Sequence, residues 1–140
     1  ELVEDAKAKG ANILCGGETP EGPGFFYPAT VIDGLTDDMR LVMEEAFGPV
    51  ASIYKVANKE EAVRIANQTT FGLSSAVWSQ DTAEQDYFVQ HLQAGAVFVN
   101  GMTISYPELA FGGIKDSGFG RELSDAGIKE FCNLKTVWKA

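Results

Sequence analysis

The sequence is poor in the residues that most often announce an active centre. Histidine occurs once, at His91, so a histidine-dependent triad or a multi-histidine metal site is not available. Cysteine occurs twice, at Cys15 and Cys132. Two thiols in 140 residues do not make a disulfide scaffold, and a reducing cytoplasm is the expected compartment. Basic residues number 11 against 20 acidic ones, for a net charge of -9. That balance lacks the basic footprint of a nucleic-acid binder and argues against an anionic membrane surface. No apolar run approaches the roughly 20 residues a spanning helix requires. The opening ELVEDAKAKG has no basic segment followed by an apolar one, so no secretory signal is read there, and the sequon Asn67-Gln68-Thr69 is taken as coincidental. Glycine fingerprints fail as well. Gly118-Phe119-Gly120 starts a G-x-G pattern, but Leu123 stands where the third glycine belongs, and Gly112-Gly113-Ile114-Lys115 is not a P-loop.

What is present is an ordinary globular balance, 45% hydrophobic and 22% charged. A chain of this size buries roughly two-thirds of its unfolded surface. Residues 1–9 read as the end of a helix stopped by Gly10. A short apolar run over 11–15, a turn-rich loop over 18–24 and an alternating strand over 25–32 follow. One or two helical turns are expected over 37–43, and a strand over 50–56. Asn58-Lys59-Glu60-Glu61 and Asp81-Thr82-Ala83-Glu84 have the form of capping boxes, the first opening a helix with Ala62, Val63, Ile65 and Ala66 on one face. Strands are expected over 73–78 and 96–99, a helix face at Leu123, Gly127, Ile128 and Phe131, and a last strand over 135–139. Strands alternating with helices imply an α/β fold with a largely parallel sheet flanked by helices. The last strand is expected to pair outside the domain. The chain starts at Glu1 rather than Met, and within a helical pattern, which points to a fragment.

Candidate chemistry is sparse. Cys15 ends an apolar run and Cys132 an amphipathic helix, so each reads as a structural thiol, and His91 reads as a solvated helix-face residue. Adjacent Glu44 and Glu45 are either surface charge or a ligand carboxylate. The Gly48-Pro49 turn before a strand would hold such a carboxylate still, where it could accept hydrogen bonds from a sugar diol, with Phe47 beside a flat ring. The stretch 101–120 is the longest irregular one. Long loops in compact domains tend to be functional or disordered, and Tyr106, Phe111 and Phe119 argue against disorder. Ser105 within it is either a turn hydroxyl bonded to its own backbone or a contact for a polar substrate group.

Four ordered stretches carry a resemblance to the aldehyde dehydrogenases. Glu44-Glu45-Ala46-Phe47-Gly48-Pro49-Val50 resembles their E-E-x-F-G-P-V motif, and Asn67–Trp78, NQTTFGLSSAVW, resembles their A-N-x-T-x-Y/F-G-L-x-x-x-V-W segment. Phe111 to Glu122 resembles their F-G-G-x-K-x-S-G-x-G-R-E loop, and Lys135-Thr136-Val137-Trp138 their closing strand. The resemblance implies the C-terminal part of a catalytic domain over 1–134 with an oligomerisation strand over 135–140. It implies oxidation of an aldehyde to its acid by way of a cysteine thiolate, with hydride passing to NAD or NADP. Glu45 and Phe47 would meet the nicotinamide riboside, and Phe111 and the preceding loop would line the aldehyde tunnel. Cys15 does not match the nucleophile. The nucleophile, the general base, the oxyanion-hole asparagine and most of the cofactor site belong upstream, so the chain alone is expected to be inactive and to carry no catalytic or metal residue. Ser105-Tyr106-Pro107-Glu108-Leu109 and the tail from Glu130 to Trp138 resemble bacterial succinate-semialdehyde dehydrogenases, in which a serine at the place of Ser105 contacts the distal carboxylate. Ala110 stands where proline is usual. A homodimer or homotetramer formed through the last strand is expected by analogy. The alternatives are a non-catalytic α/β binding or assembly module derived from the same fold, or a dehydrogenase for another aldehyde.

Overall fold

The computed structural model describes residues 1–140, which form two compact units, Glu1–Ala57 and Asn58–Ala140. The fold is α/β in both.

The first unit contains α1 (Leu2–Ala8), β1 (Asn12–Cys15), β2 (Thr30–Asp33), α2 (Arg40–Met43) and β3 (Val50–Ser52). Gly10 ends α1 with a φ of 98°, as the stop signal implied. The sheet runs β1-β2-β3, antiparallel between β1 and β2 and parallel between β2 and β3. Its core is Val3 and Ala6 from α1, Ala11, Ile32 from β2, Met39, and Leu41 from α2. The one buried polar side chain, Thr30, is fully bonded. Its hydroxyl donates to the Pro28 carbonyl at 2.9 Å and accepts from the Gly17 N–H at 2.9 Å. The Asp5 carboxylate accepts from the Arg40 N–H at 2.9 Å, tying α1 to the start of α2. That bond, helped by Lys9, holds the Asp5 carboxyl below its ordinary value.

Two expected strands are shorter than the sequence suggests. The alternation over 25–32 becomes strand only from Thr30, and Phe25 and Phe26 are exposed. After Cys15 the chain turns through Gly16 and Gly17, both at positive φ, so the β1-β2 ladder ends at Cys15 opposite Val31 and does not extend to 25–29. Likewise the strand expected over 50–56 stops at Ser52, one bond beyond which the Ile53 N–H reaches the Ile32 carbonyl at 2.8 Å.

The second unit contains α3 (Lys59–Ala66), β4 (Phe71–Gly72), β5 (Ser74–Val77), α4 (Thr82–His91), β6 (Ala96–Val99), β7 (Ile114–Lys115) and α5 (Ser124–Glu130). β5-α4-β6 is a parallel βαβ unit, Ser74 opposite Ala96 through Val77 opposite Val99. β4 and β7 pair antiparallel, placing Phe71 opposite Lys115. Asn58 caps α3, its side-chain oxygen accepting from the Glu61 N–H at 2.9 Å. Asp81 caps α4 by accepting from Ala83 and Glu84. The Glu84 carboxylate does not return to the Asp81 N–H as a reciprocal box would. It accepts from the Ser79 hydroxyl, which in turn accepts from the Asp81 N–H at 3.1 Å, so Ser79 relays the second arm.

The strand expected over 135–139 makes no ladder within the chain, and residues 131–140 are exposed throughout. A strand is defined by its partner, and none of the sheets here offers this segment one.

Candidate functional site

Two places combine the residues singled out above, one in each unit. In the first unit the motif turn joins α2 to β3. The Gly48 N–H reaches the Ala46 carbonyl at 2.9 Å and the Val50 N–H reaches the Gly48 carbonyl at 2.8 Å, two successive three-residue turns. The Pro49 carbonyl accepts from Thr30 at 2.8 Å, fastening the turn to β2.

The two carboxylates on this turn have different fates. Glu44 is taken by Arg40 in a two-pronged pair, Nε to Oε1 at 2.6 Å and Nη2 to Oε2 at 2.7 Å. The hydrogen bond from Arg40 holds the Glu44 carboxyl below its usual value, and the same contact raises Arg40. Glu45 is exposed and takes part in none of the chain's ion pairs. Spacing alone could not choose between the two. The signal that could was the i, i+4 relation of Arg40 to Glu44, a helical ion-pair spacing that leaves Glu45 over. Phe47 stands out from the turn, 95% exposed. A cavity of about 380 Å³ adjoins it, bounded by Phe47, Gly48, Pro49 and Val50, by Phe25 and Tyr27, and by the start of α1. The anchored turn thus carries an unpaired carboxylate two residues before an exposed aromatic, and Glu45 is not among the residues lining the cavity.

In the second unit the long stretch after β6 is more ordered than its composition suggests. Phe111 and Glu122 exchange both backbone bonds, at 2.8 and 2.6 Å, so Phe111 is pinned at one end of the stretch. Lys115 bends back with a φ of 56° and its ammonium donates to the carbonyls of Asn67 and Thr69, at 2.9 and 3.0 Å. The Ser117 hydroxyl accepts from Gly72 at 2.9 Å. The Arg121 guanidinium donates to the carbonyls of Gly113 and Gly120. Asn67 bridges α3 to the end of α4, donating to the His91 carbonyl and accepting from Gln93, both at 2.8 Å. The polar residues of two motifs thus clamp backbone to backbone. The sequence shows them as signatures without this role; the partners of Lys115 and Ser117 lie 45 to 48 residues away and those of Asn67 lie 24 and 26 away.

Between β6 and the clamp runs a wall, tied by the Leu109–Tyr106, Ser124–Pro107 and Phe111–Glu122 backbone bonds. A cavity of about 390 Å³ lies between β6 and residues 104–111, lined by Phe98 and Val99 on one side and by Ile104, Tyr106, Leu109 and Phe111 on the other, among others. Phe111 is thus on the cavity. Ser105 is exposed and lies between two lining residues without being one. Its hydroxyl makes no bond to its own backbone, so the turn-hydroxyl reading is not realised. His91 is exposed, its ring stacked on Tyr87 at 4.2 Å. No grouping of three His, Cys, Asp or Glu side chains has metal-ligating geometry.

Comparison with known proteins bears on what these two places do. Residues 1–137 match the model of the aldehyde dehydrogenase family. Over 138 residues, 99% of this chain, the sequence is 62% identical to a protein of Mycobacterium ulcerans named NADP(+)-type succinate-semialdehyde dehydrogenase 1. The chain spans 30% of that relative's length. The structure of a succinic semialdehyde dehydrogenase from Streptococcus pyogenes, solved with NADP+, is similar over 99% of this chain and 30% of its own, with a TM-score of 0.92 and 39% identity. An NAD-dependent aldehyde dehydrogenase from Sinorhizobium meliloti is similar over 93% of this chain and 26% of its own, with a TM-score of 0.88 and 40% identity.

Proposed function

Since this chain belongs to the aldehyde dehydrogenase family, we propose that it is the C-terminal part of the catalytic domain of an NAD(P)-dependent enzyme oxidising succinate semialdehyde to its acid. In this reading a thiolate from the rest of the enzyme attacks the aldehyde carbon, hydride leaves for the nicotinamide, and water releases the acid from the thioester. A bound nicotinamide nucleotide supplies the hydride acceptor. The chain's own residues bind and orient.

The observation that carries the proposal is the division of labour at the motif turn. Arg40 pairs with Glu44 and leaves the Glu45 carboxylate exposed on an anchored turn, two residues before the exposed Phe47. A carboxylate so placed fits the two hydroxyls of a ribose, as acidic residues do in dinucleotide sites. In the complete enzyme, Glu45→Gln is expected to lower kcat/KM for the cofactor by about ten- to a hundredfold, as befits lost hydrogen bonds to a charged acceptor. Glu44→Gln should lower the melting temperature and leave cofactor kinetics near wild type. Equal kinetic effects from the two substitutions would count against Glu45. The coenzyme is NAD or NADP; adenosine-ribose contacts, which discriminate the two, belong to the remainder of the enzyme.

Ser105 and Phe111 are proposed for the aldehyde side. Ser105 supports this role through its exposed hydroxyl, free of any bond within the chain. Ser105→Ala in the complete enzyme is expected to raise KM for succinate semialdehyde while sparing an uncharged aldehyde. A hydrogen bond to a charged group contributes about 1.5–3 kcal/mol, or roughly ten- to a hundredfold. A second reading, an uncharged aldehyde as substrate, is favoured by the lining of the neighbouring cavity, which is hydrocarbon apart from Tyr106. Steady-state kinetics with the two aldehydes decides between them. The apolar tail, with Leu134 and Trp138 exposed, supports pairing of residues 135–140 with a neighbouring subunit's sheet in a homodimer or homotetramer.

A further inference from the structure

We propose that Tyr106 determines specificity on the aldehyde-binding wall, its phenol hydroxyl meeting the polar end of an aldehyde whose aliphatic stem lies in the cavity between β6 and residues 104–111. The assignment rests on the aldehyde dehydrogenase reading above and goes further than it in naming, besides Ser105, a second group that reads the substrate's far end.

Four observations converge. The cavity, about 390 Å³, is of ligand-binding size. Every side chain lining it is hydrocarbon except Tyr106, which alone brings a group that both donates and accepts. That hydroxyl has no partner within the chain, and Tyr106 is 47% exposed. The main chain around it is held. The Tyr106 carbonyl accepts from Leu109 at 3.0 Å, the Pro107 carbonyl accepts from Ser124 at 2.9 Å, and a proline after Tyr106 narrows that residue's own backbone freedom.

A wall of this kind sorts ligands by their ends. An apolar stem gains by leaving water along Phe98, Leu109 and Phe111. A carboxylate at the far end needs a donor, and among the side chains lining the cavity the phenol is the one that donates. Ser105, next in sequence, is outside the lining, so the two hydroxyls are separable by mutation. Sites that hydrogen-bond a substrate group discriminate strongly against analogues lacking it, because the site's own polar atom is then left unpaired.

The test uses the complete enzyme and two aldehydes of equal chain length, succinate semialdehyde and butanal. Tyr106→Phe keeps the ring and removes the hydroxyl, and a melting curve matching wild type confirms the fold. The expected result is a fall of about tenfold or more in kcat/KM for succinate semialdehyde with butanal unchanged. Equal losses on both aldehydes, or no loss on either, overturn the assignment. So does a selective loss seen with Ser105→Ala but not with Tyr106→Phe. Failure of the underlying reading shows differently, as a wild-type enzyme that oxidises neither aldehyde, and Tyr106 then loses its role with it.

Discussion

Gly95→Ala is expected to unfold the second unit's wall. A Cβ at Gly95 would lie 1.7 Å from the Gly112 carbonyl oxygen, 2.8 Å from its carbon and 3.1 Å from the Gly113 Cα. All three are backbone atoms, so no side-chain rotation makes room. Retreat is blocked on the other side as well. The Gly95 N–H is bonded to the Gly72 carbonyl at 3.0 Å, and Gly72 itself has the Gln93 carbonyl and the Ile114 side chain within 3 Å of where its own Cβ would be. Accommodating one methyl therefore means parting the segment that enters β6 from residues 112–113, which carry the Phe111–Glu122 bridge. Overpacking a well-filled site typically costs 1–3 kcal/mol, and obstruction by main chain puts this case at about 3 kcal/mol or beyond. For a unit of this size that is a fall of roughly 10–20 °C in melting temperature. Gly48→Ala is the control, since its Cβ would meet nothing within 4 Å. Similar melting curves for the two variants would show that the close approach is not maintained in solution.

The 140-residue chain by itself is expected to yield no reduced nicotinamide from succinate semialdehyde with NAD or NADP. The reaction needs a thiol with a group beside it that takes its proton. Cys15 Sγ lies 3.8 Å from the Ala29 carbonyl and Cys132 Sγ lies 3.4 Å from the Ile128 carbonyl, and neither is hydrogen-bonded to a basic side chain. The sequence also has no glycine-rich cradle for a pyrophosphate, and its sole histidine stacks on Tyr87. Turnover is read from the absorbance of reduced nicotinamide. A rate above the uncatalysed background, abolished by Cys15→Ser or Cys132→Ser, would place the nucleophile within these residues and overturn the expectation.

What could be read from the sequence was what local chemistry decides. Asn58 and Asp81 cap helices through bonds to residues two or three positions on, so α3 and α4 were legible where they start. Strand ends were not, because pairing is settled by a distant segment. Phe25–Ala29 and Tyr54–Val56 have strand-like residues but join no ladder. β7 was invisible for a different reason. It is two residues long and ends on Lys115 in a left-handed conformation, which gives no periodicity to detect. The α/β class was legible from the alternation of elements, and its parallel pairings appear as β2-β3 and β5-β6. The antiparallel pairs β1-β2 and β4-β7 depend on turns whose geometry composition does not specify. At the site, the motif turn was located from sequence, whereas Glu45's availability follows from Arg40 having closed on Glu44.

The clamp formed by Asn67, Lys115, Ser117 and Arg121 has a consequence for how such a protein can change. It spends its polar side chains on holding main chain, and it leaves residues 102–110 outside every ladder. On the proposed assignment, selectivity would be carried on a stretch that no ladder constrains, above a scaffold fastened by these bonds. Drift in substrate preference would accumulate as substitutions around Tyr106 and Leu109, with Gly95 and Lys115 left unaltered.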